Sequence, residues 1–161
     1  SNFTANIAKP GSGSMEIHSD LSLVHPPPWD QPWAINIIWV LNDMREENGA
    51  TRYLPFSHKI NQPGDLPKAI SKEMCPIEAE AGSIIAMDGR LWHTSGANIT
   101  QNEERSLLFG YYTRSFIRPQ WNFSAGLSDQ TKSSLPDRLK YKLGLELASN
   151  TYADYSNHTE K

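Results

Sequence analysis

Met15-Glu16-Ile17-His18-Ser19-Asp20 is the stretch around which the rest of the chain can be organised. It reads as a β-strand. Side chains two positions apart in a strand share a face, so the imidazole of His18 and the carboxylate of Asp20 converge on one point. One further imidazole would complete a two-His-one-carboxylate face for a divalent metal, with open positions opposite. The candidate is His93, in Arg90-Leu91-Trp92-His93-Thr94-Ser95-Gly96. A His-x-Asp triplet alone is a common accident, and a surface hydrogen-bonded pair accounts for it as well. Its weight depends on what lies downstream.

Working outward, the chain before this stretch closes in Lys9-Pro10-Gly11-Ser12-Gly13-Ser14, a flexible turn. After it, His25-Pro26-Pro27-Pro28-Trp29-Asp30-Gln31-Pro32 is a stiff loop, because its prolines remove donors and fix φ. Trp33 to Leu41 (WAINIIWVL) is a buried strand in which Asn36 is the one polar residue. Asn48-Gly49 marks a turn. Further strands are expected at Ala50–Leu54, Ile77–Glu80, Ser83–Met87, Leu91–Ser95 and Arg105–Thr113, with Asp88-Gly89 as a tight turn and one helical turn within Leu66–Met74. A helix opens near Ser134-Leu135-Pro136-Asp137, with Leu139, Leu143 and Leu147 as its apolar stripe. From about Ser149 the chain is a polar, frayed tail. Many short strands, frequent turns and little helix point to an antiparallel sandwich or barrel.

Composition narrows the function classes. The 161 residues suit a single domain with a real core. The formal net charge is −3 and no basic run stands out, so neither nucleic acid nor an anionic membrane surface is the natural partner. No apolar run reaches the ~20 residues of a membrane helix. The single Cys75 rules out an internal disulfide framework and fits a reducing, cytoplasmic setting. Asn-x-Ser/Thr triplets at Asn2, Asn98, Asn122 and Asn157 read as chance without a secretory signal. The abrupt start, Ser1-Asn2-Phe3-Thr4, suggests the C-terminal portion of a longer chain.

Arg105 opens a strand whose alternate residues are Leu107, Phe109 and Tyr111. If that face is interior, Arg105 is a buried cation that needs an anion, and a ligand carboxylate would suit its guanidinium fork. The alternative is a strand-end arginine reaching solvent. Ser95 shares the face of His93 by the same two-residue period, either to add a hydroxyl to that anion or to cap a turn.

Here a resemblance becomes specific. His18-x-Asp20, the run Glu47-Asn48-Gly49-Ala50-Thr51-Arg52-Tyr53-Leu54-Pro55-Phe56-Ser57-His58-Lys59, then Ala81-Gly82-Ser83, His93-x-Ser95-Gly96-x-Asn98, Arg105 and the late Leu135-Pro136-Asp137-Arg138-Leu139 resemble, in order, the phytanoyl-CoA dioxygenase family. The likeness covers roughly residues 10–145. It implies a mainly β fold, a double-stranded β-helix (jelly-roll, cupin-like) core with a C-terminal helix. It also implies an Fe(II)- and 2-oxoglutarate-dependent dioxygenase that uses O2. His18, Asp20 and His93 would bind iron. Arg105 would take the distal carboxylate of 2-oxoglutarate with Ser95 assisting, and Trp39 would lie near the cosubstrate. The family has Pro-Gly-Ser-His where this chain has Pro55-Phe56-Ser57-His58, and His58 reads as structural. Related halogenases carry a small residue in place of the carboxylate, so Asp20 favours hydroxylation or another oxidation, with release of succinate and CO2.

The expected substrate is a small, largely apolar molecule, with Trp29, Trp33, Phe116, Trp121 and Phe123 as pocket or core aromatics. The expected assembly is a monomer or homodimer. Two alternatives keep the pattern: a non-catalytic jelly-roll binding module, and a cupin-type oxygenase that does not use 2-oxoglutarate.

Overall fold

A computed structural model describes residues 1–24, 30–60 and 62–146. The proline run from His25 with Trp29, the helix-stripe residue Leu147, the polar tail and the triplet at Asn157 lie outside the described residues. The chain groups into two compact units. One is Phe3–Tyr112; the other comprises Ser1–Asn2 and the chain from Thr113.

The first unit holds two mainly antiparallel sheets. Strands β1 (Asn2–Ala8), β2 (Ala34–Val40), β5 (Ile84–Asp88) and β7 (Arg105–Thr113) form one, in the order β1-β7-β2-β5. Strands β3 (Thr51–Tyr53), β4 (Cys75–Pro76) and β6 (His93–Ser95) form the other, in the order β4-β3-β6. β2 and β5 run antiparallel with Asn36 opposite Met87. β3 and β6 run antiparallel with Tyr53 opposite His93. The core lies between the sheets. One cluster joins Leu21, Ala34, Leu54, Trp92 and Tyr111; another joins Ile38, Val40, Met44, Ala50, Met87 and Leu107. Ala34, Asn36, Ile38 and Val40 are the buried positions of β2, every second residue, as a strand with one interior face requires.

Several expectations hold with trimmed ends, and four change. No element is expected over the first eight residues, yet Asn2–Ala8 forms β1. Its side chains are mostly exposed and carry no alternating pattern, so the pairing with β7 decides it. Ile77–Glu80 is not a strand. Only Cys75–Pro76 pairs with β3, and Ala79 makes a single bridge to Met44. In the second unit the late helix is Asp137–Lys142, with Pro136 as its N-cap residue and Gly144 at φ 69° just past its end. It is preceded by two helices the sequence did not announce, Phe123–Gly126 and Asp129–Ser134, capped by the side chains of Asn122 and Ser128.

The fourth change concerns the opening stretch itself. Met15–Asp20 is extended but makes only one bridge, His18 to His93, and Asp20 begins a 3-10 turn through Leu23. The Asp88-Gly89 turn causes this. The Gly89 carbonyl accepts from the Ser19 hydroxyl and the Leu21 amide, both at 2.8 Å, and anchors the turn that begins after Ser19. Gly89 is required for the turn's close approach to β2, since a Cβ there would stand 2.8 Å from the Ala34 Cβ and 2.9 Å from its carbonyl oxygen.

Candidate metal centre and carboxylate site

His18 and His93 face each other as a closely spaced antiparallel pair. The His18 amide donates to the His93 carbonyl at 2.9 Å, and the return bond is 2.8 Å. Both side chains therefore leave on the same side, with ring centroids 4.4 Å apart. Ser19 is extended (φ −114°, ψ 137°), so Asp20 leaves on the same side as His18, and the turn that begins at Asp20 holds it there. Its Oδ1 lies 4.0 Å from His18 Nε2 and 3.8 Å from His93 Nε2. One ligand atom from each of the three residues falls within 4.8 Å of the others.

The hydrogen bonds select the donor set. His18 Nδ1 meets the Glu16 carbonyl at 2.8 Å, and His93 Nδ1 meets the Leu91 carbonyl at 2.9 Å. A carbonyl only accepts, so each Nδ1 carries the proton and each Nε2 presents a lone pair. Burial, against the pull of Asp20, holds the His93 imidazole below its ordinary pKa, which keeps it neutral near pH 7. With both rings in their neutral form, two lone pairs and a carboxylate oxygen converge, and imidazole nitrogen with carboxylate oxygen is the donor set of a non-haem iron site. The residues fit the group.

Two further residues reach Asp20 that sequence reasoning did not assign to the site. Asn36 Nδ2 donates to Asp20 Oδ2 at 3.0 Å, and the Tyr111 hydroxyl donates to the Asp20 backbone carbonyl at 3.2 Å. Burial and the neighbouring carboxylate push the Tyr111 phenol up to about 12, so it remains a donor. The available signal was the single polar residue in WAINIIWVL.

Arg105 sits in the same unit with its side chain fully buried. Its Nε donates to the Gly49 carbonyl at 3.1 Å, and one terminal nitrogen donates to Asn6 Oδ1 at 2.8 Å. The other, Nη2, is buried without a partner among the described residues. Burial lowers its pKa, yet a guanidinium keeps its charge. A buried cation with one free donor is a fit for a carboxylate. Gly49, at φ 90°, packs against the Gly96 carbonyl, where a Cβ would stand 3.0 Å away, so the Arg105 anchor adjoins the strand carrying His93 and Ser95. Ser95 pairs with Thr51 across β3.

Trp39 is not brought to this cluster. It lies on the face of β2 opposite Asn36, its ring tilted 57° to that of Phe3 at a centroid distance of 5.7 Å and packed against Gly110. His58 lies in the 3-10 turn Ser57–Lys59 and is not among the three clustered residues. The preceding Phe56, at φ 61°, occupies the left-handed region that a glycine would enter without strain. Asn98 is a structural hub: its amide nitrogen donates to the carbonyls of Ala8 and Glu103.

A two-sheet β fold holding a half-buried His-Asp-His cluster and a buried arginine is a jelly-roll arrangement, and comparison with known proteins specifies its class. Residues 1–106 match the family model for phytanoyl-CoA dioxygenase (PhyH). The dioxygenase af480 of Aspergillus fumigatus is 49% identical over 145 residues, which is 90% of this chain and 47% of that protein. The crystal structure of AviO1 from Streptomyces viridochromogenes Tue57 superposes with a TM-score of 0.58 at 23% identity, over 73% of this chain and 51% of that one. That of SnoN, a non-haem alpha-ketoglutarate-dependent epimerase from nogalamycin biosynthesis, gives 0.57 at 20% identity, over 70% and 46%. The chain belongs to the phytanoyl-CoA dioxygenase family. It spans about half the length of the curated relatives it matches.

Proposed function

We propose that the protein is an Fe(II)- and 2-oxoglutarate-dependent dioxygenase that hydroxylates a C–H bond of a small, largely apolar molecule. The observation that carries this reading is the pairing of unlike sites in one unit: three electron-rich donors within 4.8 Å, and a buried guanidinium with a free donor. The iron and cosubstrate, when bound, supply the oxidation, in which substrate C–H, 2-oxoglutarate and O2 become C–OH, succinate and CO2. His18, Asp20 and His93 would hold the metal through Nε2, Oδ1 and Nε2. The Glu16 and Leu91 carbonyls fix the two rings, and Tyr111 fixes the Asp20 backbone. Arg105 would hold the remote carboxylate of the cosubstrate and thereby orient it, with Ser95 adding a hydroxyl; Asn6 and Gly49 keep the guanidinium aimed.

The apolar character of the substrate rests on what is missing from the charge pattern: no basic patch suited to a phosphate-bearing carrier stands out in the sequence. Among the described residues no helix is long and apolar enough to cross a membrane. The exposed thiol of Cys75 suits a reducing cytoplasm.

Succinate formation from 2-oxoglutarate, measured for wild type and Arg105→Ala at limiting cosubstrate, tests the reading. Turnover is expected in the wild type and a large loss in the variant. Undiminished turnover in the variant would contradict the carboxylate assignment.

A further inference from the structure

Asn36 is an anomaly of packing. It is buried on the interior face of β2 between Ala34 and Ile38, among apolar side chains, and its Oδ1 is buried with no partner among the described residues. A branched apolar residue would fill that position on a strand without an unfilled acceptor. What the amide does make is one bond, Nδ2 to Asp20 Oδ2 at 3.0 Å. The reversed amide would set a carbonyl oxygen against a carboxylate oxygen, so chemistry fixes this orientation. The two oxygens of Asp20 are therefore divided: Oδ2 is held by Asn36, and Oδ1 faces the Nε2 atoms of His18 and His93.

We infer that Asn36 is a positioning residue that reserves one oxygen of Asp20 for the metal, making the carboxylate a one-oxygen ligand and keeping a coordination position open. The inference rests on reading the cluster as a metal centre. Asn36 stands on the sheet opposite the histidine pair and is rigidly placed by its register with Met87, so it sets the carboxylate plane from outside the ligand group. With the amide gone, Oδ2 is free to turn onto the ion beside Oδ1. The site then loses both the orientation of its acidic ligand and one open position.

The test uses the full chain and Co(II) as the probe, without cosubstrate or turnover. Wild type, Asn36→Leu and Asn36→Ser are titrated with Co(II), and its d–d absorption is recorded. Leucine removes the donor at similar volume; serine removes its reach and covers the case in which leucine does not fit. Far-UV circular dichroism of the apo forms identifies which variants fold. The expected result is a dissociation constant about tenfold or more higher in the folded variants, on the scale of lost partners around metal ligands. Weaker d–d bands from the added ligand oxygen should accompany it. Wild-type affinity and spectrum in a folded variant would overturn the role of Asn36 and leave the metal centre standing. No Co(II) binding by the wild type itself would overturn the metal centre and this inference with it.

Discussion

The His18–Asp20–His93 cluster is a half-buried feature and the Arg105 site a fully buried one of the same small unit, and they are opposite in charge. At the cluster, two lone pairs and a carboxylate oxygen converge, with every remaining polar atom of the rings already bonded to backbone carbonyls. At Arg105, a guanidinium is held by Gly49 and Asn6 and keeps one donor unmatched. Each would cost free energy as a purely structural feature, because buried charge is tolerated only when paired. Neither supplies the other's partner directly. One calls for a cation and the other for an anion, so a metal together with a carboxylate-bearing ligand would complete both.

Breaking the electron-rich end should have the largest effect. Asp20→Ala removes a ligand atom and the anionic charge together, and metal affinity should fall by more than the roughly 100-fold upper range seen for partners one step removed. Equilibrium dialysis against Fe(II) or Co(II) measures this, and near-wild-type affinity would dissolve the contrast between the two sites. Breaking the electron-poor end should leave the metal in place. Arg105→Ala should weaken 2-oxoglutarate by about 2–4 kcal/mol, the usual cost of truncating one partner of a buried charge pair. Thermal shift sharpens the comparison: metal raises Tm in both wild type and variant, whereas adding 2-oxoglutarate raises it only in the wild type.

How much of this was legible in the sequence follows the same contrast. His18, Asp20, His93 and Arg105 could be read because each is an unusual residue type on or beside an otherwise recognisable strand. The strand period sets His18 and Asp20 on one side across the extended Ser19, but the turn that begins at Asp20 is anchored on Gly89, a contact between positions 19 and 89 that no local period encodes. β1 was invisible because its exposed side chains leave only backbone pairing to define it. Asn36 was noted as polar, but which carboxylate it meets depends on the packing of β2 against the 18–20 segment. Trp39 was assigned by likeness alone, and the strand period sets it on the face of β2 opposite Asn36.

Two smaller effects lie outside the paired sites and serve as controls on them. Phe56→Gly relieves a left-handed phenylalanine that is itself solvent-exposed, and should stabilise by up to about 1 kcal/mol, the strain relieved less the added chain entropy. Chemical denaturation would show it, with metal and cosubstrate binding unchanged. The smallest effect concerns Asp88. Burial raises its pKa, but the hydrogen bonds and charge of Arg90 outweigh that and hold it below 3.8. A carboxylate with a depressed folded pKa contributes stability above its unfolded value and loses it as pH falls through the folded one. Asp88→Asn should therefore lower Tm at pH 7, with the gap to wild type closing below about pH 4. A gap that widens with acid would contradict the pairing.

The central claim is that one metal and one carboxylate ligand complete the two sites together. Its most direct test is an anaerobic titration of the Fe(II)-loaded protein with 2-oxoglutarate, following visible absorption. A charge-transfer band should grow to a one-to-one endpoint in the wild type, fail to form in Asp20→Ala, and require far more 2-oxoglutarate in Arg105→Ala. No band in Fe(II)-loaded wild type, or a band with unchanged midpoint in Arg105→Ala, would contradict the account.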